Sequence, residues 1–109
     1  MAPSELFIYA PDLPASRHWY ADVLGCQLLY CSGETVRFEM AEGHTLFLSS
    51  VGQEAEFMLP VHHVAGYAQR FQQRLLVSGD NQGRVVETSP NNLALVDPAG
   101  NLLHLIESA

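Results

Sequence analysis

The sequence contains no lysine, and its only fixed cations are five arginines against twelve acidic residues. The resulting formal charge of −7 argues against nucleic acid and anionic membrane surfaces as partners, because few cations are available to displace phosphate counterions. The same balance favours cationic ligands, or serves only to keep the chain soluble. No apolar run approaches the ~20 residues that a membrane span requires. Met1-Ala2-Pro3-Ser4-Glu5 lacks the basic-then-apolar order of a secretory leader, so the expected compartment is the cytoplasm. Cysteine is scarce as well. Cys26 and Cys31 fall in what reads as one strand, on opposite faces and ~16 Å apart, too far to bridge. With no base or cationic neighbour in view, they read as small apolar residues and not as nucleophiles.

What is present describes a globular chain. In 109 residues, 48% are hydrophobic and 16% charged, enough for one domain with a substantial core. Strands are expected at 5–10, 27–32, 35–40 and 45–49, with a helix between the first two. Asp12 and Pro14 mark the start of that helix, Gly25 its stop, and Leu13, Ser16, Trp19, Tyr20 and Leu24 its buried side. Turns are expected at Ser32-Gly33-Glu34 and Glu42-Gly43-His44. The second half repeats the order: a strand at 56–61, a helix at 64–76 carrying Val64, Tyr67, Ala68, Phe71 and Leu75 on one face, a loop at 78–83, and strands at 84–88, 93–96 and 102–107. Offsetting the first half by 51 lays Glu5 on Glu56, Tyr20 on Phe71 and Leu24 on Leu75. An offset of 57 lays Gly43 on Gly100, Leu46 on Leu103 and Phe47 on His104. The predicted class is α+β, with two βαβββ modules at about 4–50 and 55–108 forming curled mixed sheets around a cleft.

The last hairpin is the most informative stretch. Asp97-Pro98-Ala99-Gly100-Asn101 is turn chemistry between Leu93-Ala94-Leu95-Val96 and Leu102–Ile106. His104 interrupts an otherwise aliphatic strand, and an imidazole among leucines needs a partner. Strand alternation puts Glu5, Phe7 and Tyr9 on one face, Glu56, Met58 and Pro60 on a second, and Leu102, His104 and Ile106 on a third. The opposite faces are aliphatic and suited to packing under helices. The mixed faces have the make-up of a small-molecule pocket, with Phe7, Tyr9, Phe47, Met58 and Ile106 as candidate lining.

Asp12-Leu13-Pro14-Ala15-Ser16, Trp19-Tyr20 and Val23-Leu24-Gly25, together with Asp97-Pro98-Ala99-Gly100-Asn101, resemble the opening and closing signatures of the vicinal oxygen chelate superfamily. That group includes glyoxalases, fosfomycin-resistance thiol transferases, extradiol dioxygenases and bleomycin-resistance proteins. The resemblance runs from Glu5 to Glu107 and implies two modules enclosing a site, often across a homodimer. It also implies metal ligands at Glu5, Glu56 and His104, while Phe47 stands where some members have a fourth. Relatives with three protein ligands commonly carry histidines on the two leading strands and glutamate on the last. Here the types are inverted, giving one nitrogen and two carboxylates, a set suited to Mn²⁺, Fe²⁺, Mg²⁺, Zn²⁺ or Ni²⁺.

Each residue also has a plainer reading. Glu5 is a solvated terminal acid, Glu56 one of a charged pair with Glu54, and His104 a hydrogen-bonded core histidine. His62 and His63 point apart where a strand ends, His18 lies on the exposed side of the first helix, and His44 lies in a turn. Two functions follow. One is a divalent-metal-dependent lyase or isomerase of glyoxalase type, acting on a molecule with adjacent oxygens and using Glu56 to move a proton. The other is a metal-free, bleomycin-resistance-like binding protein that stacks its ligand on Tyr9, Tyr30, Phe47 or Trp19.

Overall fold

The computed structural model describes residues 5–40, 43–78 and 84–108, the side chains of 74–78 excepted. The element order is β1 (Glu5–Tyr9), α1 (Leu13–His18), a π-helical turn (Trp19–Val23), β2 (Gln27–Cys31), β3 (Thr35–Glu39) and β4 (Thr45–Ser49). It continues with β5 (Glu56–Val61), α2 (Val64–Ser78), β6 (Arg84–Ser89), β7 (Asn92–Val96) and β8 (Leu102–Glu107). Most of the expected loop at 78–83, Glu42 of the expected turn and the Leu75 side chain lie outside the described residues. No helix among the described residues is long and apolar enough to cross a membrane.

The strands form two four-stranded sheets, in the orders β1-β4-β3-β2 and β5-β8-β7-β6. In each, the first strand of the module runs parallel to the last, and the other pairs are antiparallel. This is the α+β architecture of two βαβββ modules with curled, unclosed sheets. Alternation decides the faces. Ile8, Phe38 and Leu48 from the first sheet and Leu59, Leu95 and Leu105 from the second are buried in one cluster with Trp19, Tyr20 and Phe71 of the helical segments. Among the described residues, the other face of each sheet carries no helix. Phe7 there is 73% exposed and Met58 62%.

The helical segment begins as expected, with the Asp12 carboxylate accepting from the Ala15 amide at 3.2 Å. Its second half differs from the expectation of a plain α-helix. A π turn holds an extra residue there, and the consecutive Trp19 and Tyr20 are both buried. Gly25 ends the segment at φ +75°, where a side chain would meet the Arg70 guanidinium at 2.9 Å. Each module has a β-bulge that breaks strict alternation, between Leu28 and Tyr30 in the first and between Val85 and Glu87 in the second.

Three local readings are corrected. Cys26 precedes β2 and is buried, its amide bonded to the Tyr20 carbonyl at 2.9 Å, so the two cysteines do not share a strand. Cys31 does have a cationic neighbour, since Arg17 Nη1 lies 3.4 Å from its sulfur. His44 follows a turn but is buried, only 4% exposed, because its Nε2 lies 2.7 Å from the Pro60 carbonyl. A carbonyl only accepts, so Nε2 carries the proton.

The junction of the modules is polar and buried. Tyr20 donates to Asp97 Oδ2 at 2.6 Å, and Asn101 Nδ2 donates to the same oxygen at 2.9 Å. Asp97 Oδ1 accepts from the amides of Ala99 and Asn101 at 3.0 and 2.8 Å. Asn101 then bridges outward, donating to the Tyr9 carbonyl at 2.7 Å and accepting from the Ala55 amide at 3.1 Å. The hairpin signature is therefore the fastening between β8, the end of β1 and the entry to β5.

A pseudo-twofold relation connects these contacts. Asn101 of the second module grips the Tyr9 carbonyl of the first, and His44 of the first grips the Pro60 carbonyl of the second. By the sequence offsets, His44 corresponds to Asn101 and Tyr9 to Pro60. The turn itself repeats: Met40 bonds to His44 and Gly43, and Asp97 to Asn101 and Gly100, through the same backbone atoms. Where the second hairpin has Asp97 facing Tyr20, the first has Met40 and α2 has Phe71, both buried. A hydroxyl and a carboxylate are present together at one end and absent together at the other.

Candidate functional site

Backbone register places the candidate residues in rows across the two open faces. On the first sheet, Phe7 pairs with Phe47, Phe47 with Arg37, and Arg37 with Tyr30. Cross-strand neighbours on one face stand close enough to stack. Phe7 and Phe47 do so, with centroids 4.9 Å apart and planes 13° off parallel, and the Arg37 guanidinium lies 5.0 Å from the Phe47 centroid. The result is a ladder of ring, ring, guanidinium and ring. Beside it opens a cavity of about 420 Å³, lined by Phe7, Ile8, Tyr9, Thr35, Phe47, Ser49, Val51, Gly52 and Gln53. Its walls are aromatic and aliphatic, with hydroxyls and one amide for directional bonds, and no carboxylate.

The second sheet carries the corresponding row, in which Met58 pairs with His104, His104 with Ala94, and Ala94 with Glu87. His104 Nε2 lies 2.8 Å from Glu56 Oε1, and the imidazole is mostly covered while the carboxylate is largely exposed. The histidine on the aliphatic strand thus has Glu56 as a hydrogen-bond partner. Glu5 is exposed at the start of β1, on the other sheet. Among the described residues no group of three or more His, Cys, Asp or Glu is gathered within one chain closely enough to hold a metal ion. One chain brings together Glu56 and His104, and it does not bring Glu5 to them. Met58 and Ile106 flank His104 and are exposed.

The remaining histidines stand apart from this pair. His18 faces solvent and approaches Asp22 at 3.8 Å, and His62 and His63 are exposed beyond β5. Trp19 is only 2% exposed and packs edge-on against Tyr20, so it belongs to the core and offers no stacking face to a ligand. Sequence reading passed over Arg37. Its signal was available in the alternation of β3, which puts Arg37 on the same face as Thr35 and Glu39.

No family model matches the sequence, and no curated protein matches it. Solved structures do. A bleomycin-binding protein from Streptomyces verticillus, solved with copper(II)-bleomycin, superposes with a TM-score of 0.76 at 16% identity, covering 100% of this chain and 98% of that one. A lactoylglutathione lyase from Agrobacterium tumefaciens gives 0.70 at 22% identity, covering 98% and 93%. An antibiotic-binding protein from Streptomyces sp. CB03234 gives 0.72 at 16% identity, covering 100% and 97%. The chain has the glyoxalase/bleomycin-resistance fold. Within that fold it is similar both to an enzyme and to proteins that bind antibiotics.

Proposed function

We propose that the chain is a small-molecule-binding protein that holds its ligand over the open face of the first module. The observation that carries this reading is the cavity of about 420 Å³ beside the Phe7–Phe47 stack. It offers a volume and a lining suited to an organic ligand, with Tyr9, Thr35, Ser49 and Gln53 placed to orient it. The bleomycin-binding and antibiotic-binding neighbours support a sequestering role.

The working form is a homodimer in which the first module of one copy faces the second module of another. Every residue of the edge strands β2 and β6 is exposed, and Phe7, Tyr30, Met58 and Val86 leave apolar surface on or beside the open faces. Burying such edges and patches drives association. Sedimentation equilibrium at micromolar concentration is expected to give twice the chain mass of 12.0 kDa; a mass near 12.0 kDa would overturn the dimer.

A metal-dependent lyase or isomerase of glyoxalase type is the second reading, and the His104–Glu56 pair favours it. The donor types suit Mn²⁺, Fe²⁺, Mg²⁺, Zn²⁺ or Ni²⁺, with Glu5 of a second copy as the third ligand. The set is incomplete in one chain, and His104 Nε2 would have to exchange its proton toward Glu56 for the ion. When bound, the ion would polarise adjacent oxygens of a substrate. Glu56 would then be placed to move a proton.

Melting temperature separates the two. Planar aromatic compounds at millimolar concentration are expected to stabilise the protein equally with and without a chelator, and His104→Ala is expected to retain that stabilisation. Stabilisation that requires Mn²⁺ or Zn²⁺ and disappears in His104→Ala would replace the binding reading with the enzymatic one.

A further inference from the structure

The open face of the first sheet is electrically divided, although the chain as a whole is acidic. Three rows cross it. Glu5, Thr45 and Glu39 form the first, Phe7, Phe47 and Arg37 the second with Tyr30, and Tyr9, Ser49 and Thr35 the third. The cavity borders the second and third rows. The acids of the first row, Glu5 and Glu39, therefore lie on the far side of the ladder from it, and the one charge within the ladder is the Arg37 guanidinium, paired across the strands with the lining residue Phe47. The ion pairs His18–Asp22 and His104–Glu56 lie elsewhere, and neither engages Arg37.

The ring geometry adds to this polarity. A centroid spacing of 4.9 Å with planes 13° apart matches the ~4.8 Å between neighbouring strands, so the stack runs across the sheet and the ring edges face the cleft. Ring edges carry the positive part of the aromatic quadrupole. Edges and guanidinium together present a positive surface to any planar molecule lying across the ladder.

We propose that this cleft selects planar aromatic anions, with an aromatic body across the Phe7–Phe47 stack and a carboxylate or phenolate at Arg37. The proposal rests on the small-molecule reading above and names the ligand class for that site. It reverses the cationic preference that net charge alone suggested, because within one chain the charge in the ladder beside the cavity is that of Arg37.

Three probes of one shape decide it: 2-naphthoate, 2-naphthalenemethanol and 2-naphthylmethylammonium, titrated into the full chain by calorimetry. The expected order is naphthoate tightest, with the naphthoate affinity falling about tenfold in Arg37→Gln and the alcohol unchanged. Added salt should weaken naphthoate and leave the alcohol unaffected in wild type, a readout that needs no variant. Equal affinities for the three, or tightest binding of the ammonium probe, would overturn the anion preference and leave the small-molecule reading standing. If none of the three binds at millimolar concentration, both fall.

Discussion

Asp97→Ala is expected to destabilise the protein by about 3–5 kcal/mol, the largest effect of any single polar substitution considered. The carboxylate is 2% exposed and accepts four hydrogen bonds, from the Tyr20 hydroxyl, the Asn101 side chain and the Ala99 and Asn101 amides. Removing it strands several donors at once in a buried site. Against a total stability of about 5–15 kcal/mol, the variant would retain a marginal fold. Tyr20→Phe, which removes one donor and leaves the rest of the network paired, should cost about 1.5–3 kcal/mol. The opposite end of the molecule supplies a control, because there Met40 and Phe71 stand in place of Asp97 and Tyr20. The double variant Tyr20→Phe/Asp97→Met should therefore cost less than the sum of its single changes. Urea denaturation of wild type, Asp97→Ala, Tyr20→Phe, Asp97→Met and the double variant measures these losses. A loss below about 1 kcal/mol in Asp97→Ala would show that the hairpin does not fasten the modules.

Stability should also fall in alkali because of the same tyrosine. Burial, and after it the adjacent Asp97 carboxylate, holds the Tyr20 hydroxyl well above its ordinary pKa. The folded state thus favours neutral tyrosine more than the unfolded state does. Its contribution is fully present below the unfolded value near ~10 and is lost as pH rises from there towards the folded value. The slope from this one group is about 1.4 kcal/mol per pH unit. No lysine titrates in the same range, which leaves tyrosine and cysteine as the background. Stability measured by urea at intervals from about pH 9 to 11.5 should fall more steeply in wild type than in Tyr20→Phe. Parallel curves for the two proteins would exclude the buried hydroxyl as the source.

Where the chain's physics is local, sequence reading reached the structure. The bounds of β4, β5 and β8 match their expected spans, since alternation and flanking turns define a half-buried strand without outside help. Asp12 caps its helix for an equally local reason. What was not legible depends on partners far along the chain. His44 reads as a turn residue until Pro60, sixteen positions on, is brought to it by the other module. Arg17 meets Cys31 only after a helix and a turn have folded back. The π turn at Trp19–Val23 has no local signature in the residue pattern. The candidate site divides along the same line. His104 and Glu56 sit on neighbouring parallel strands of one module, so strand order alone joins them. Glu5 belongs to the other sheet, and among the described residues nothing brings it to the pair.

The reciprocal grip of His44 on Pro60 and Asn101 on Tyr9 has a consequence for how such a chain can change over generations. In a symmetric pair of half-length chains, every substitution arrives twice and must suit both places. Joined through residues 50–55, the halves are inherited together but mutate separately. One half could then adopt a tyrosine–aspartate lock while its sibling kept phenylalanine and methionine, and one face could gather rings and an arginine while the other acquired a histidine and a glutamate. A covalent link thus lets two halves of one plan carry different residues at matching positions.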